Sequence, residues 1–428
     1  IGKWHLGTGS GYRPLDRGFA QHFGFLAGCV DYYSHIFYWG QGQNPVHDLW
    51  DDEREVYDNG RYLTEVIAEK AASFIADGGA EPFLCYVPFN APHYPMHAPK
   101  EYVDRFPELP DDRRIMAAMI AAMDDGVGRI LDALEAAGIA DDTIVFFSSD
   151  NGPSTESRNW LDGEEIDYQG GSTGGLRGNK GSLFDGGIRV PAIISWPAAL
   201  PQGAEWAEPA AMMDILPTVL EAAGAPASAE ADGTSVLGAL RALAPLPDER
   251  TLFWEYGPQL AARRGPWKLT TSAREHLGGP FTLGSTVLAN LDDDPAEAAD
   301  LSAAHPEIAA ALRAELGLDG GLLRQFGHWA GALSAGEFGQ SLRFGRPVAE
   351  MVATALPVTL GFAAMAFALG LVLAMALAIG AVLLPRSVLP GLVEAINLWS
   401  IAMPTFVAGM GAILVFSLWL GWLPVIGN

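Results

Sequence analysis

Residues 176–191, Leu-Arg-Gly-Asn-Lys-Gly-Ser-Leu-Phe-Asp-Gly-Gly-Ile-Arg-Val-Pro, are the stretch around which the larger part of the chain is organised. They follow shortly after residues 143–152, Thr-Ile-Val-Phe-Phe-Ser-Ser-Asp-Asn-Gly. The apolar, β-branched start of that second stretch predicts a buried parallel strand, and open α/β sheets place ligands at the carboxyl ends of such strands. Asp150 and Asn151 would offer hard oxygen ligands there, and Lys180 would offer a cation. The pattern predicts an anion site beside a hard metal ion.

The charge balance of the chain limits its partners. The 428 residues carry 26 Lys and Arg against 51 Asp and Glu, a net charge of −25. Positions 1–320 hold 22 of the basic and 48 of the acidic residues. Because little positive charge is available to neutralise phosphates, the composition argues against a nucleic-acid partner. The two cysteines, Cys29 and Cys85, make no disulfide framework.

Two more positions place titratable side chains at the ends of extended segments. In the opening Gly-Lys-Trp-His-Leu-Gly, Lys3 and His5 are two residues apart and would point the same way on a strand. An exposed strand end is the alternative interpretation of this pair. His93 follows a second apolar run, 82–89, in the segment Asn-Ala-Pro-His. A loop histidine is usually a surface residue. His93 differs because, like Asp150, it comes just after the end of a predicted apolar strand.

Helical and strand patterns alternate along the rest of the acidic part, which predicts an α/β fold with a largely parallel sheet. The methionines of the longest predicted helix are expected in the core rather than at a cofactor. A smaller appended unit is predicted after residue 247, and the Asp triplet in it is interpreted as a solvated turn rather than a metal site. The predicted helices are 59–77, 112–137 and about 214–223, the strands are 82–89, 143–147 and 191–196, the loop is 19–50, and the Asp triplet is 292–294.

The composition changes after residue 320. Residues 351–385 and 395–428 are runs of 35 and 34 residues without a charge. A bilayer core needs about 20 apolar residues, so each run can hold one membrane-spanning helix, and lipid becomes a predicted partner. We expect these helices near 357–384 and 401–424. The predicted domains are 1–247, 248–319 and 320–428.

Five motifs, in order over about residues 1–315, resemble the sulfatase family and are closest to the arylsulfatases that act on sulfated sugars. The resemblance implies an alkaline-phosphatase-like α/β core, with a bound calcium for which Asp150 and Asn151 look like two ligands. It also implies a formylglycine nucleophile, made in the family from Cys or Ser within Cys/Ser-x-Pro-x-Arg. The motifs are Gly-Lys-Trp-His-Leu-Gly, Asp-Tyr-Tyr-Ser-His, Asn-Ala-Pro-His, Ser-Ser-Asp-Asn-Gly and Gly-Asn-Lys-Gly-Ser-Leu-Phe-Asp-Gly-Gly-Ile-Arg-Val-Pro.

The same resemblance implies catalytic roles for four side chains. Lys3 and Lys180 look like the cations that hold the sulfate oxygens, and His5 like the group that orients the nucleophile. His93 looks like the group that protonates or orients the leaving oxygen. Lys3, His93 and Lys180 would thus contact a sulfate ester substrate directly, and such a site needs fixed cations and an acid because charge develops on these oxygens.

The nucleophile pattern is the point at which the sequence departs from the family. Neither Cys29 nor Cys85 lies in Cys/Ser-x-Pro-x-Arg, and no serine does. In the family the nucleophile and the first acidic metal ligands lie upstream of Gly-Lys-Trp-His. We therefore expect a core that lacks its N-terminal part, a chain cut at both ends, and no sulfatase turnover, since covalent catalysis needs its nucleophile.

Residues 316–428 resemble a second family, the inner-membrane permease subunits of peptide- and nickel-type ABC transporters. The resemblance implies other permease and ATPase subunits as partners, a place in the bacterial inner membrane, and an extracytoplasmic soluble part. Arg343 and Arg346 before the first span, against Arg386 after it, favour the opposite orientation, and we give the resemblance more weight. The motifs are Leu-Gly-Leu-Asp, Gly-Glu-Phe-Gly-Gln-Ser-Leu-Arg, Gly-Arg-Pro-Val, Leu-Pro-Val-Thr-Leu, and Met-Pro-Thr-Phe leading to Leu-Gly-Trp-Leu-Pro.

Three hypotheses for the whole chain follow. It is a truncated sulfatase, a membrane transport subunit, or a chimera of two gene fragments joined around residues 311–318. We expect parts of both families to be missing from the sequence, one on each side of the join. This favours the chimera. For the acidic part, a phosphomonoester or phosphonate hydrolase of the same superfamily is a further alternative, because the metal pair alone would suit either ester.

Overall fold

The computed structural model describes residues 1–37, 46–78, 81–155, 170–229, 231–246, 250–318, 322–339, 348–402 and 419. The chain divides into two compact units, Ile1–Gly321 and Leu322–Asn428. The strands are β1 Gly2–Lys3, β2 Phe23–Phe25, β3 Ile36–Phe37, β4 Val46–His47, β5 Trp50–Asp51, β6 Arg54–Glu55, β7 Val145–Ser148, β8 Ala192–Ser195, β9 Thr251–Tyr256, β10 Gln259–Arg264, β11 Trp267–Thr271 and β12 Thr286–Asn290. The helices are α1 Leu63–Asp77, α2 Lys100–Val103, α3 Asp111–Ala136, α4 Asp185–Ile188, α5 Ile215–Ala222, α6 Leu237–Ala242, α7 Pro306–Glu315, α8 Leu322–Ser334, α9 Val348–Leu383 and α10 Leu389–Ala402.

The main core of the first unit lies where α1 packs against α3. Leu63 and Ile67, four residues apart on α1, are fully buried, as is Met119 of α3. Gly126 of α3 lets the helices approach closely, since a Cβ at this position would lie 3.1 Å from the Cβ of Ala68. The structure confirms the two predicted helices and the place of the methionines in the core. It also confirms the third helix, as α5, and the strand at 191–196, as β8.

The segment predicted as a loop at 19–50 contributes several short strands instead. Its strand β2 pairs in parallel with β1 and antiparallel with β5, so it joins the N-terminal motif to the rest of the unit. The predicted strand 82–89 is extended but not a regular strand. Its carbonyls at Tyr86 and Pro88 accept hydrogen bonds from the terminal ammonium group of Ile1 (2.7 Å) and the backbone N–H of Lys3 (2.8 Å). The extended run 82–89 and β2 therefore flank β1 on opposite sides.

The strand before Asp150 differs from its prediction. β7 pairs antiparallel with β8, and the side chains of Phe146 and Ile193 are 41% and 63% exposed. The expectation of a buried, parallel strand was wrong because β8 is the one strand that pairs with β7 in the described residues. An apolar run predicts the strand itself, but not the direction or number of its neighbours.

A separate antiparallel sheet, in the order β12-β11-β10-β9, forms the end of the first unit. Leu269 of β11 and Leu288 of β12 pack against Leu312 of α7, and all three are at most 1% exposed. The Asp triplet at 292–294 forms the turn after β12, where the backbone N–H of Asp294 donates to the carbonyl of Asn290 at 2.8 Å. This confirms the turn interpretation for these three residues.

The second unit contains α8, α9 and α10. Within α9, Met351–Leu383 is long and apolar enough to cross a membrane, with a mean hydropathy of 2.6, and it is the one such helix in the described residues. The second predicted span, 401–424, lies almost wholly outside the described residues, which end at 402 apart from position 419.

Candidate active site

The Lys180 loop, residues 176–182, is fixed through its backbone. The Lys180 N–H donates to the carbonyl of Pro153 at 2.9 Å, and its own carbonyl accepts from the N–H of Leu277 at 2.7 Å. Gly181 has φ +89°, and a Cβ on it would lie 2.9 Å from Leu277. The glycine is therefore required both by the backbone conformation and by the close approach of residue 277. The loop is held between the turn after Asp150 and the segment that follows β11.

The His93 side chain lies directly opposite this loop. Its Nδ1 is 2.9 Å from the carbonyl oxygen of Tyr94, which makes Nδ1 the protonated nitrogen of the neutral ring. Its Nε2 is 3.3 Å from the Nζ of Lys180 and accepts a hydrogen bond from that ammonium group. An acceptor nitrogen thus faces a cation across the gap between the two loops.

Lys3 and His5 enter the site from β1 and from the residues that follow it. His5 has φ 60°, in the left-handed region that non-glycine residues rarely adopt, and its N–H donates to the carbonyl of Leu26 at 3.1 Å. A Cβ on Gly28 would lie 2.6 Å from the Nε2 of His5, so glycine at 28 makes room for the ring. Backbone strain at a site residue is typical of positions whose geometry matters for function.

The pKa values of the two histidines show that the predicted residues influence one another. The pKa of His93 is lowered to about 3, first by burial of the ring and then by the ammonium groups of Lys180 and Lys3. The pKa of His5 is lowered as well, by partial burial and by the same two lysines, whereas the carboxylate of Asp150 raises it. Both rings are therefore neutral near pH 7. Lys3, His5, His93, Lys180 and Asp150 thus lie close enough to influence one another electrostatically. Their catalytic roles stay predictions.

Asp150 and Asn151, the oxygen side of the site, offer fewer oxygen ligands than a calcium ion needs. Asp150 is exposed, and the amide nitrogen of Asn151 donates to the carbonyl of Gly152 at 2.9 Å, which leaves its amide oxygen as the group that a cation could use. Calcium takes six to eight oxygen ligands. Within the described ranges no group of three His, Cys, Asp or Glu side chains converges as a metal site. Two oxygen-bearing side chains alone do not complete a calcium site.

Neither thiol is placed as a nucleophile. Cys29 is 4% exposed, and burial raises the pKa of the Cys85 thiol, which lowers its thiolate fraction. Neither cysteine lies in Cys/Ser-x-Pro-x-Arg, and the absence of a nucleophile stays a prediction.

Sequence reasoning missed the residues that hold the His93 loop. The Tyr32 hydroxyl lies 2.7 Å from the carbonyl oxygen of His93 and 2.9 Å from that of Asn90, so its proton is shared between two acceptors. Asp31 holds the backbone that follows Tyr32, because its carboxylate accepts from the N–H groups of Tyr33 and Ile36 at 3.0 and 2.8 Å. The Asp-Tyr-Tyr-Ser-His motif contained this signal, since an Asp followed by such residues is typical of an Asx turn.

Comparisons with known proteins identify the family. Residues 1–225 match the family model described as Sulfatase. The N-acetylgalactosamine-6-sulfatase of Sus scrofa is 30% identical over 354 residues, which cover 73% of this chain and 63% of the relative. Arylsulfatase J of Mus musculus is 32% identical over 231 residues, which cover 52% of this chain and 36% of the relative. The chain thus spans less than two thirds of the length of either relative.

A solved structure supports the fold. The crystal structure of Ps i-CgsB in complex with k-i-k-neocarrahexaose is similar with a TM-score of 0.63 at 27% identity, covering 74% of this chain and 69% of that one. The alkaline-phosphatase-like α/β fold expected from the motifs is thereby confirmed. Because the family model covers more than half of the 428 residues, the chain belongs to the sulfatase family.

Proposed function

We propose that the first unit is the anion-binding part of a sulfuric ester hydrolase whose substrates are sulfated sugars. The observation that carries this proposal is the 3.3 Å approach of Lys180 Nζ to His93 Nε2, with Lys3 close enough to lower the pKa of His93 further. Two cations around one gap suit an ester oxyanion. The sugar-sulfate class is supported by relatives named for N-acetylgalactosamine-6-sulfate and by the neocarrahexaose complex.

In this proposal the residues of the chain bind and orient the ester. The ammonium groups of Lys3 and Lys180 contact the sulfate oxygens, and the charge of the bound sulfate offsets theirs. Because those ammonium groups are part of what lowers the pKa of His93, binding of the anion raises it, and the ring can then take up a proton at Nε2. That proton is available to the leaving oxygen of the ester, which is the acid role predicted for His93.

Turnover is not part of the proposal for these 428 residues. Formylglycine would supply the covalent nucleophile, but no Cys or Ser occupies its pattern in this sequence. Calcium enters only as an ion for which Asp150 and Asn151 are two ligands among the several it requires. We therefore expect binding of sulfate esters without hydrolysis.

The test compares two esters that differ in the transferred group. Equilibrium dialysis of the full chain in detergent measures the affinity for 4-nitrophenyl sulfate and for 4-nitrophenyl phosphate near pH 7. We expect the sulfate ester to bind more tightly than the phosphate ester, and Lys180→Ala to remove most of the binding. Much tighter binding of the phosphate ester would favour the phosphoester or phosphonate hydrolase alternative. Absence of binding for both esters would contradict the proposal.

The apolar helix of the second unit favours a second proposal, that the chain is attached to a membrane. Met351–Leu383 has the length and hydropathy of a span, and the side chains of Phe326 and Trp329 on α8 are 61% and 58% exposed. Aromatic residues are enriched at membrane–water interfaces. From the resemblance of residues 316–428 we propose the bacterial inner membrane, an extracytoplasmic first unit, and permease and ATPase subunits as partners.

Two measurements test these proposals. The first concerns the membrane orientation and the second the chimera. Protease protection in spheroplasts should leave the first unit accessible from outside, and a protected first unit would reverse the orientation. Single-molecule sequencing of DNA across the codons for 311–318 should distinguish a continuous gene from two joined fragments. Reads that cross this region would exclude the chimera, and their complete absence would establish it.

A further inference from the structure

A buried ion cluster lies behind the Lys180 loop. It consists of Asp185, Lys268 and Glu297, whose side chains are at most 3% exposed. The Nζ of Lys268 is 2.6 Å from Oδ1 of Asp185 and 3.1 Å from Oε1 of Glu297. The backbone N–H of Asp185 donates to the other oxygen of Glu297 at 2.5 Å. Burying three charges is costly even when they are paired, so such a cluster is better explained by the geometry it fixes than by stability.

The cluster acts on the site through α4, which begins at Asp185. The N–H of Gly186 donates to the carbonyl of Arg177 at 2.7 Å, and the carbonyl of Gly187 accepts from the N–H of Gly152 at 2.9 Å. A Cβ on Gly186 would lie 2.1 Å from the carbonyl oxygen of Gly178. One backbone therefore contacts the Lys180 loop on one side and the turn after Asn151 on the other, without room to shift.

Arg177 makes a second connection between the cluster and the loop. Its guanidinium donates to the carbonyl of Glu297 at 3.0 Å and to the carboxylate of Glu275 at 2.8 Å, and it lies 3.8 Å from the ring centre of Phe184. The N–H of Asn179 also donates to the carbonyl of Glu275 at 2.8 Å. The segments after β11 and β12 thus hold the loop at both its start and its middle.

We propose that Asp185, Lys268 and Glu297 are positioning residues that set the place of the Lys180 ammonium opposite His93. The smaller antiparallel sheet would then determine the geometry of the anion site, although none of its residues contacts the anion. The identity of the anion rests on the function proposed above, whereas the connection from α4 to Lys180 does not.

The test compares two buried carboxylates in different places. Asp185 and Asp214 are both 2% exposed and both form an ion pair, but Asp214 pairs with Arg250 and accepts from the N–H groups of Ala211 and Thr234. Asp185→Asn is the test variant and Asp214→Asn its matched control. In the full chain in detergent, NMR follows the titration of the His93 ring, assigned with His93→Gln, and calorimetry measures the affinity for inorganic sulfate.

Asp185→Asn should raise the pKa of His93, because Lys180 is no longer held close to it, and should weaken sulfate binding about tenfold. Asp214→Asn should lower the midpoint of thermal unfolding but leave both site measurements as in the unmodified chain. If Asp185→Asn fails to fold, Arg177→Met replaces it, since the side chain of Arg177 is 33% exposed and tolerates truncation better. Its effect should have the same sign.

Three results would overturn the inference. They are an unchanged His93 titration in Asp185→Asn, an unchanged titration in the replacement Arg177→Met, or equal shifts in Asp185→Asn and its Asp214→Asn control. Absence of sulfate binding by the unmodified chain would count against the proposed function instead. The titration of His93 would still decide whether the buried ion cluster positions Lys180.

Discussion

The cationic and the oxygen-bearing sides of the site differ in how completely this chain builds them. Lys3, His5, His93 and Lys180 come from three separate segments, and hydrogen bonds to nearby carbonyls fix their positions. Asp150 and the residue after it follow an exposed two-stranded ribbon and bring three side-chain oxygens at most, where calcium takes at least six. The residues proposed to bind the anion are therefore held in place independently of those proposed to bind the metal.

The two sides also differ in how well the residues that hold them in place are buried. The Lys180 loop is backed by the buried ion cluster, and the His93 loop by the buried ring of Tyr32, which is 0% exposed. β7, which leads to Asp150, has an apolar side chain, Phe146, that is 41% exposed. The cationic side is therefore rigid as it stands, and we expect its affinity for sulfate to be independent of calcium.

The largest effect should come from Lys180→Ala. Loss of one charge-assisted hydrogen bond costs roughly 1.5–3 kcal/mol, so the affinity for 4-nitrophenyl sulfate should fall about 10- to 150-fold. The matched control is Lys100→Ala, at a lysine whose side chain is 83% exposed and pairs with Asp104 on α2. Calorimetry should give unchanged affinity for the control. An affinity for Lys180→Ala within twofold of the unmodified chain would remove Lys180 from the anion site.

An intermediate effect should appear in the pH dependence of stability. The pKa of His93 is about 3 in the folded chain against an ordinary value of 6.5, so between these values the unfolded state binds a proton that the folded state does not. The free energy of unfolding should therefore fall as the pH is lowered from about 6.5 toward 3.

His93→Gln should remove about 1–3 kcal/mol of this loss, measured by urea unfolding of the first unit at a series of pH values. His22, whose pKa is lowered to about 4, should keep part of the slope in the variant. His305→Gln, at an exposed histidine, serves as the control. Equal slopes for His93→Gln and the unmodified chain would show that the His93 ring is not held neutral.

The smallest effect should come from Asp150→Asn. The Asp150 carboxylate raises the pKa of His5, so it lies close enough to repel an anion held by Lys3 and Lys180. Its neutralisation should tighten sulfate binding about two- to threefold and lower the pKa of His5 further. Addition of a calcium chelator to the unmodified chain should change nothing. Weaker binding in Asp150→Asn or with chelator would mean that the oxygen side already holds a metal and contributes to anion affinity.

The sequence motifs predicted which side chains lie together in the candidate site. They did not predict which residues hold those side chains in place. Lys3, His5, His93 and Lys180 each follow a local pattern of glycines, prolines or strand residues, and the structure brings them together. The core helices were also predictable, because their apolar residues recur at helical spacing, as in Leu63 and Ile67.

The buried ion cluster could not be predicted in the same way. Lys268 lies 83 residues from Asp185 and 29 from Glu297, and charged residues are usually exposed, so nothing local marks these three as partners. The exposure of Phe146 was equally hidden, since an apolar run indicates a strand but not whether a neighbour covers it. Both depend on contacts between distant segments.

The central claim is that this chain binds a sulfate ester at Lys3, His93 and Lys180 without cleaving it. The most direct measurement incubates the full chain with excess 4-nitrophenyl sulfate and follows both retained ester and released 4-nitrophenol, beside His93→Ala as control. We expect retained intact ester and no release above the control. Release of 4-nitrophenol above that of His93→Ala, or no retained ester at all, would contradict it.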